Sequence, residues 1–450
     1  MVDQLVEKYN VPGPRYTSYP TVPFWDPQTF TREELENRLS RTFLHSNREI
    51  SLYIHLPYCE SLCTYCGCNT RITKNHGVEE RYIDALLKEW EMYLKLFRFP
   101  PRIKELHLGG GTPTFFSSGN LKYLITSILE AALIAEDPDF GFEGHPGNTT
   151  YNHLKTLKEL GFNRVSFGIQ DFDPAVQRLI NRKQSYEQVK HIVDLSRKIG
   201  YQSINFDLIY GLPGQKLETV EDTLAKTALL RPDRIAFYSY AHVPSIKPAQ
   251  KSYEEYLPKA QLKKDLYKYG RDFLIRSGYH DIGMDHFALE SDPMYHAFKT
   301  GELHRNFMGY TIQKTDLLVG LGASAIGDAW SAFYQNEKNV EKYLALVNNA
   351  SLPVLKGHIL TDEDLLIRSK ILDLICRFET QWTHDEWRIL QDVINHEFLN
   401  ELEKDGLIIK DIDGVTVTDT GKSFVRNVCM AFDAHLQKKK KVLTSFSKTV

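Results

Sequence analysis

The chemistry this chain can do is concentrated in one short stretch. Cys59, Cys63, Cys66 and Cys68 put four of its six cysteines within ten positions of a 450-residue sequence. Close-spaced thiols in a large, cysteine-poor chain without a secretory signal bind metal or react rather than pair as disulfides. Thiolates suit zinc and iron–sulfur clusters alike. Zinc normally draws its ligands from two separated knuckles, whereas here all lie on one loop. In the Cys-x3-Cys-x2-Cys spacing of Cys59, Cys63 and Cys66, three thiolates can hold three corners of a 4Fe-4S cube and leave the fourth iron open to a substrate or cofactor. Cys68 is extra to that set, and its plainest reading is a structural thiol beside the cluster.

The elements that must position this loop alternate between strand and helix. Strands are predicted at 50–56, 103–108, 140–143, 164–168, 204–209 and 235–238. Helix-length segments separate them, such as 186–199 and 79–97, where Ile83, Leu86, Leu87, Trp90, Leu94 and Phe97 recur at helical spacing. That alternation means a parallel sheet, and in parallel barrels the loops after the strands carry the chemistry. The cysteines follow the first strand, and Gly109-Gly110-Gly111-Thr112-Pro113 follows the second, so both face one mouth. The glycines let backbone at Gly110 and Gly111 approach a ligand closely. Glu143, Gln170 and Asp207 end or nearly end later strands; a salt bridge explains any one of them, a ribose hydroxyl or an ammonium explains the set.

Around that core the sequence divides into 1–49, 50–290, 291–355 and 356–450. The first part holds Pro14-Arg-Tyr-Thr-Ser-Tyr-Pro20-Thr21, an extended strap rather than a helix. Beyond about 290 the rhythm fades, and 317–327 reads as a buried strand with a glycine-rich bend. From 361 helices dominate, with a hairpin of 407–410 and 415–418 turned at Asp413-Gly414. This suggests a winged-helix shape serving as a lid or packing domain, since no basic face marks a DNA reader. Cys376 and Cys429 sit in apolar helices as core residues. Hydrophobic residues at 42% and charged residues at 25% are globular values, and a net charge of −3 offers no general attraction to nucleic acid or anionic membrane. The Lys438–Lys441 run reads as a solvated helix end. No apolar stretch approaches the ~20 residues that span a bilayer. The expectation is a cytoplasmic protein with no membrane insertion.

Cys59, Cys63 and Cys66 with the aromatic Tyr65 before the third cysteine resemble the radical S-adenosylmethionine superfamily. The resemblance implies an α/β fold: a partial or incomplete parallel (β/α) barrel of radical S-adenosylmethionine type, with an extended N-terminal segment and a mainly helical C-terminal domain. It also implies a 4Fe-4S cluster whose open iron binds S-adenosylmethionine and cleaves it to a 5'-deoxyadenosyl radical. Further stretches narrow the likeness: Pro14 to Thr21, Cys66-Gly-Cys68-Asn69, Gly168-Ile-Gln170-Asp171-Phe172, Asn181-Arg182, Asp207-Leu-Ile-Tyr-Gly211-Leu-Pro213, Tyr240-Ala241-His242, Gly283-Met-Asp285-His286-Phe287 and His304-Arg-Asn-Phe307. Together they are similar to the family of oxygen-independent coproporphyrinogen III oxidases, from near residue 9 to the end.

That resemblance implies oxidative decarboxylation of two propionates of coproporphyrinogen III to vinyl groups, giving protoporphyrinogen IX in haem biosynthesis, with two S-adenosylmethionine molecules. By matching motifs, Cys59, Cys63 and Cys66 hold the cluster. Tyr53, Gly110, Glu143 and Ile326 contact the first cofactor; Tyr65, Gly111, Thr112, Gln170, Arg182, Asp207 and Ala241 contact the second. Arg15, His286 and Arg305 are the proposed partners of the substrate carboxylates. Reduced flavodoxin or ferredoxin is the implied electron donor, and the chain is expected to be a monomer. Two departures bear on the second cofactor site: Glu143-Gly144-His145-Pro146 stands where the family has Glu-Val-Asp-Pro, and Met308 where Gln is common. The competing readings are a haem-binding chaperone or haem-degrading relative and a non-catalytic zinc scaffold.

Overall fold

A computed structural model describes residues 2–28, 30–438, 446, 448 and 449, with only the backbone of residues 2 and 3. Lys439 to Lys441 of the lysine run lie outside the described residues.

The apolar runs read from the sequence become the centre of a twelve-stranded sheet. Its strands are β1 (Glu49–Leu56), β2 (Arg102–Gly110), β3 (Leu133–Gly144), β4 (Arg164–Gln170), β5 (Ser203–Tyr210), β6 (Arg234–Ser239), β7 (Tyr279–Gly283), β8 (His286–Leu289), β9 (Leu318–Leu321), β10 (Ile326–Asp328), β11 (Ala332–Asn336) and β12 (Val354–Ile359). In space they run β12-β11-β10-β9-β1-β2-β3-β4-β5-β6-β8-β7. From β9 through β6 every neighbouring pair is parallel. Antiparallel strands extend both ends. The edges β12 and β7 do not bond to each other, so the barrel is open, as the incomplete form requires.

Period-two burial along β5 shows what the opening is for. Ile204, Phe206, Leu208 and Tyr210 are buried on the outer face, whereas Asn205, Asp207 and Ile209 on the inner face are partly exposed. The outer side chains join those of the flanking helices in one core; the inner ones look into space. A closed eight-stranded barrel fills its interior with side chains. This one keeps a polar cavity.

The helix Glu79–Phe97 forms where its spacing predicts and buries Tyr82, Ile83, Leu86, Trp90 and Phe97. Two polar groups on the same face tie the glycine-rich bend to β1. Glu89 accepts from Gly322 N (2.8 Å), Tyr343 OH (2.7 Å) and Asn336 Nδ2 (2.7 Å), while burial pushes its carboxyl up to about 7. Tyr82 OH donates to His55 O (2.9 Å) and accepts from Ala323 N (2.9 Å). Gly322 is required here: its φ is +98° and a Cβ would stand 2.6 Å from His55 O. The bend therefore delivers Ile326 to β10, beyond Gly320, the residue of β9 that pairs with Tyr53.

The N-terminal segment is not a single strap. Helices form at Val2–Tyr9 and Arg32–His45, the latter capped by Thr31 on Glu34 N. Only the stretch between them is largely irregular, as its prolines require. Leu5, Tyr9, Tyr16 and Tyr19 belong to the core of the C-terminal domain, whereas Leu35, Leu39 and Phe43 pack under the main sheet. In the C-terminal domain the hairpin strands are Ile408–Lys410 and Gly414–Val417, so Gly414 starts a strand rather than finishing a turn. A third strand, Glu379–Gln381, completes a small sheet that the sequence did not suggest. Cys376 and Cys429 are buried in this core, as expected.

Candidate active site

Alternation fixes which side chains enter the cavity. Register places Gly320 beside Tyr53, Tyr53 beside His107, Glu143 beside Ser166, Ser166 beside Asn205, Asp207 beside Ala236, and Ala236 beside His286. The inner wall is thus a band of polar groups crossing the sheet near its carboxyl ends. His55, His107, Ser166 and Asn205 were not predicted. Their signal was available: each is a polar residue at an every-second position of an apolar strand.

Glu143 is the centre of the first group. Gly110 N donates to Oε2 (3.2 Å) and His107 Nε2 lies 3.6 Å from Oε1. Its side chain keeps 44% of its surface open although it sits deep in the molecule. That combination marks a carboxylate facing a cavity. Burial alone would raise its pKa, but His107, the Gly110 amide and His55 outweigh it and hold the acid below its usual range. Tyr53 OH meets His55 Nδ1 (3.2 Å), and His55 Nε2 meets Asn69 O (2.9 Å). Across the cavity Asp207 accepts from Ser166 Oγ (3.1 Å) and Asn205 Nδ2 (2.9 Å). Burial and the Glu143 charge push it up to about 6.

The cysteine loop closes the mouth. Tyr58–Cys59 forms a short parallel bridge with Arg71–Ile72, and Cys66 N donates to Cys63 O (3.1 Å) in a turn. The loop is pinned on one side by Thr64 N to Ile180 O (3.1 Å) and Asn181 Nδ2 to Leu62 O (2.7 Å). On the other, Lys247 Nζ donates to Cys68 O (3.0 Å) and Gln250 Nε2 to Tyr65 O (3.5 Å) and Ala241 O (3.3 Å). Lys247 caps and Gln250 lies in the short 3-10 helix Pro248–Tyr256, and neither carried a sequence signal. The glycine run serves this closure: a Cβ on Gly111 would stand 2.6 Å from Pro57 C, and one on Gly110 2.6 Å from the His55 ring. Their missing side chains leave room for the end of β1 and the start of the cysteine loop.

Cys59, Cys63 and Cys66 are half-buried, Cys68 is exposed, and all are free thiols. Cys59 Sγ lies 3.3 Å from Thr112 Oγ1, and burial pushes its thiol up to about 11. A hydrogen bond from Cys68 lowers Cys66 to about 6. Among the described residues no three His, Cys, Asp or Glu side chains converge tightly enough for a single ion. The ligands of a cube bind different irons and need no such convergence. Soft thiols on one loop, with cationic donors from Lys247 and Arg182 around them, fit that group.

The remaining predicted residues form two further groups. Arg182 Nη1 reaches Tyr65 OH (3.3 Å) and Cys63 Sγ (3.6 Å), and Gln170, with φ +69°, lies beside it under Gly168. His145 is held neutral, its pKa lowered to about 3 by burial and the Arg182 charge. Ile326 packs on the Trp25 and Phe333 cluster with Phe307, and its carbonyl lies against Gly320. Met308 occupies the turn between His304–Asn306 and Gly309–Thr311, its amide donating to Asn306 Oδ1 (2.8 Å).

Arg15, His286 and Arg305 come together at the β8 side of the cavity, on Tyr238 and Tyr310. Arg15 pairs with Asp285 (2.7 Å) and lies 5.6 Å from the Tyr238 ring. His286 meets both rings edge-on, and Arg305 stacks 4.7 Å from Tyr310. Arg305 is 4% exposed, yet its Nε and Nη1 have no hydrogen-bond partner among the described residues, nor has His286 Nδ1. Burial and then Arg305 lower His286 to about 3, so it would meet a carboxylate as a neutral N–H donor.

Comparison with known proteins gives a coherent result. The Radical SAM superfamily matches residues 53–227. The oxygen-independent coproporphyrinogen III oxidase of Escherichia coli (strain K12) is 38% identical over 455 residues, 99% of this chain and 98% of its own. That of Pseudomonas aeruginosa is 37% identical over 440 residues, covering 96% and 95%. The solved coproporphyrinogen III oxidase from Escherichia coli, described as a radical SAM enzyme, superposes with a TM-score of 0.89 at 36% identity, covering 96% of this chain and 98% of that one. Among the described residues no helix is long and apolar enough to cross a membrane.

Proposed function

The chain belongs to the oxygen-independent coproporphyrinogen III oxidase family, within the radical S-adenosylmethionine superfamily, and from that premise we propose how its residues divide the work. The protein is an oxidoreductase that decarboxylates two propionate side chains of coproporphyrinogen III to vinyl groups in haem synthesis, without oxygen. It uses a 4Fe-4S cluster and S-adenosylmethionine. The reading is carried by one convergence: three loop thiols, the open Glu143 carboxylate and the buried Arg305 guanidinium, two of whose nitrogens have no hydrogen-bond partner among the described residues, all belong to one cavity wall or its rim.

Cys59, Cys63 and Cys66 would hold the cluster. When bound, the cluster and S-adenosylmethionine would supply the one-electron, hydrogen-abstracting chemistry that oxidative decarboxylation of a propionate needs. The chain binds and orients. Tyr53, Gly110, Glu143 and Ile326 take one S-adenosylmethionine, with the lowered Glu143 acid remaining an anion for an ammonium or hydroxyls. Tyr65, Gly111, Thr112, Gln170, Arg182, Asp207 and Ala241 take a second. Asp207, raised to about 6, is the acceptor whose charge responds to pH near neutrality. Arg305 and Arg15 receive propionates, with His286 donating a neutral N–H. The irregular segment after residue 9 acts as a strap, supported by Arg15 on Asp285 and by Trp25 stacked on Phe333 at 5.7 Å. A cytoplasmic monomer reduced by flavodoxin or ferredoxin completes the reading.

Anaerobic protein given a reductant, S-adenosylmethionine and coproporphyrinogen III is expected to yield products one and then two carboxyl groups lighter, together with 5'-deoxyadenosine. Deoxyadenosine without a lighter porphyrinogen would move the assignment to another substrate. Within this site, Glu143→Gln keeps an acceptor for Gly110 N but loses the charge. Affinity for S-adenosylmethionine should fall about ten- to a hundredfold, the ~1.5–3 kcal/mol of a charge-assisted hydrogen bond, with iron content unchanged. Equal binding by equilibrium dialysis would remove Glu143 from the cofactor site.

A further inference from the structure

We propose that Arg182 is the counter-charge of the iron–sulfur cluster and sets its reduction potential through Cys63, a role that rests on the cluster reading above. Arg182 is only 6% exposed. Its Nε donates to Gln184 Oε1 (3.2 Å), Nη2 to Gly168 O, and Nη1 to Tyr65 OH (3.3 Å) and Cys63 Sγ (3.6 Å). No carboxylate is among these partners. Three other buried arginines differ. Arg234 binds Asp292 at 2.7 Å, Arg164 binds Asp139 at 3.1 Å, and Arg368 binds Asp328 with two nitrogens.

A guanidinium withdrawn from water needs an anion beside it. Of the four groups Arg182 touches, Cys63 is the one that becomes an anion when it ligates metal. The fork is also held against drifting away. Gln184 is itself anchored on Ile169 O (2.5 Å) and accepts Arg182 from within the core. A Cβ on Gly168 would stand 2.7 Å from Gln170 Nε2 and 3.1 Å from Arg182 Nη2, so the glycine leaves room for both side chains.

The consequence is electrostatic. Three thiolates give the cluster a net negative charge, and reduction adds another. One electron passes from a low-potential one-electron carrier, which is oxidised, to the cluster, which is reduced; no proton moves and no bond forms. A fixed cation donating to a ligand sulfur stabilises the more negative state and raises the potential. Arg182 is here a positioning residue acting through Cys63, and this role is separable from any contact with S-adenosylmethionine because it exists without it.

The test is an anaerobic redox titration followed by electron paramagnetic resonance, on reconstituted full-length protein without S-adenosylmethionine. At a fixed potential the reduced-to-oxidised ratio should fall at least tenfold in Arg182→Gln, a shift of about 59 mV for a one-electron couple. Arg182→Lys, which keeps the charge, should lie closer to wild type. If Arg182→Gln loses its cluster while Arg182→Lys keeps it, the need for a cation is shown at the stage of assembly. An Arg182→Gln cluster with the wild-type potential overturns the proposal, as does loss of the cluster from both variants, which would mean shape rather than charge. Wild-type protein without iron and sulfide would instead defeat the cluster reading itself.

Discussion

Replacing any one of Cys59, Cys63 or Cys66 by Ser is expected to abolish turnover and leave iron and sulfide content far below wild type, while Cys68→Ser retains the cluster. Losing an outer-shell partner of a metal ligand already costs ~10–100-fold, and a lost ligand costs more. The protein should still fold. The loop is held without metal by Arg71 N to Pro57 O (2.7 Å), Thr73 N to Cys59 O (2.9 Å) and the Asn181 bond to Leu62 O. The main core lies on the other face of the sheet. Thermal midpoints of the apoproteins should therefore agree, so that activity is lost through the cluster alone. Cys68 differs in being exposed and in acting as a donor to Cys66, a task a hydroxyl can also perform. Iron and sulfide analysis after anaerobic reconstitution checks all four variants. Full cluster occupancy in a Cys63→Ser protein would sink the three-ligand assignment.

How far the sequence could be read follows from what a pattern can encode. The parallel strands were legible because burial on their outer face demands apolar runs, and Glu79–Phe97 because one helix stripe is buried. Length was harder. β3 begins at Leu133, seven residues before its apolar part, because its first half is exposed and its polar Glu136 and Asp137 look like a turn. The start of β10 was read as part of the glycine-rich bend of 317–327, and the antiparallel strands β11 and β12 were not predicted, since strands of three to six residues leave too few repeats to count. The helix at Val2–Tyr9 was missed because its apolar face is completed by the distant Phe398 and Phe424 rather than by neighbours in sequence.

The site shows the same division. The cysteines stand out by their spacing and the roles of the other candidate residues come from the family resemblance, whereas His55 and His107 were passed over as interruptions in apolar strands. They line the cavity, and the cavity is a property of the open barrel. The grouping of Arg15, His286 and Arg305 around Tyr238 and Tyr310 joins three segments far apart in the chain. Only tertiary structure could show that Arg15 has its own carboxylate in Asp285 while Arg305 has none among the described residues.

That difference yields a prediction with two opposite signs. Arg305→Met should make the free protein more stable and the enzyme far worse. Arg305 lies in the short hairpin of His304–Asn306 with Gly309–Thr311, 4% exposed, with two nitrogens unpartnered among the described residues. Its visible compensation is the Tyr310 ring at 4.7 Å, worth about 2 kcal/mol when desolvated. The effective cost of burying an ion is several kcal/mol. Methionine fills similar space without that cost, and a gain of ~1–3 kcal/mol is expected by analogy with other buried ions replaced by apolar side chains. With substrate present the balance reverses. A propionate carboxylate meeting a desolvated guanidinium contributes about 2–5 kcal/mol, so KM should rise thirtyfold or more. Arg305→Lys should fall between, since an ammonium keeps charge but lacks the planar fork. Paired measurements of the thermal midpoint and of KM decide the matter. A stabilised protein with poorer KM means the cation is kept for substrate; a destabilised protein with unchanged KM would make Arg305 a structural residue whose partner is of another kind.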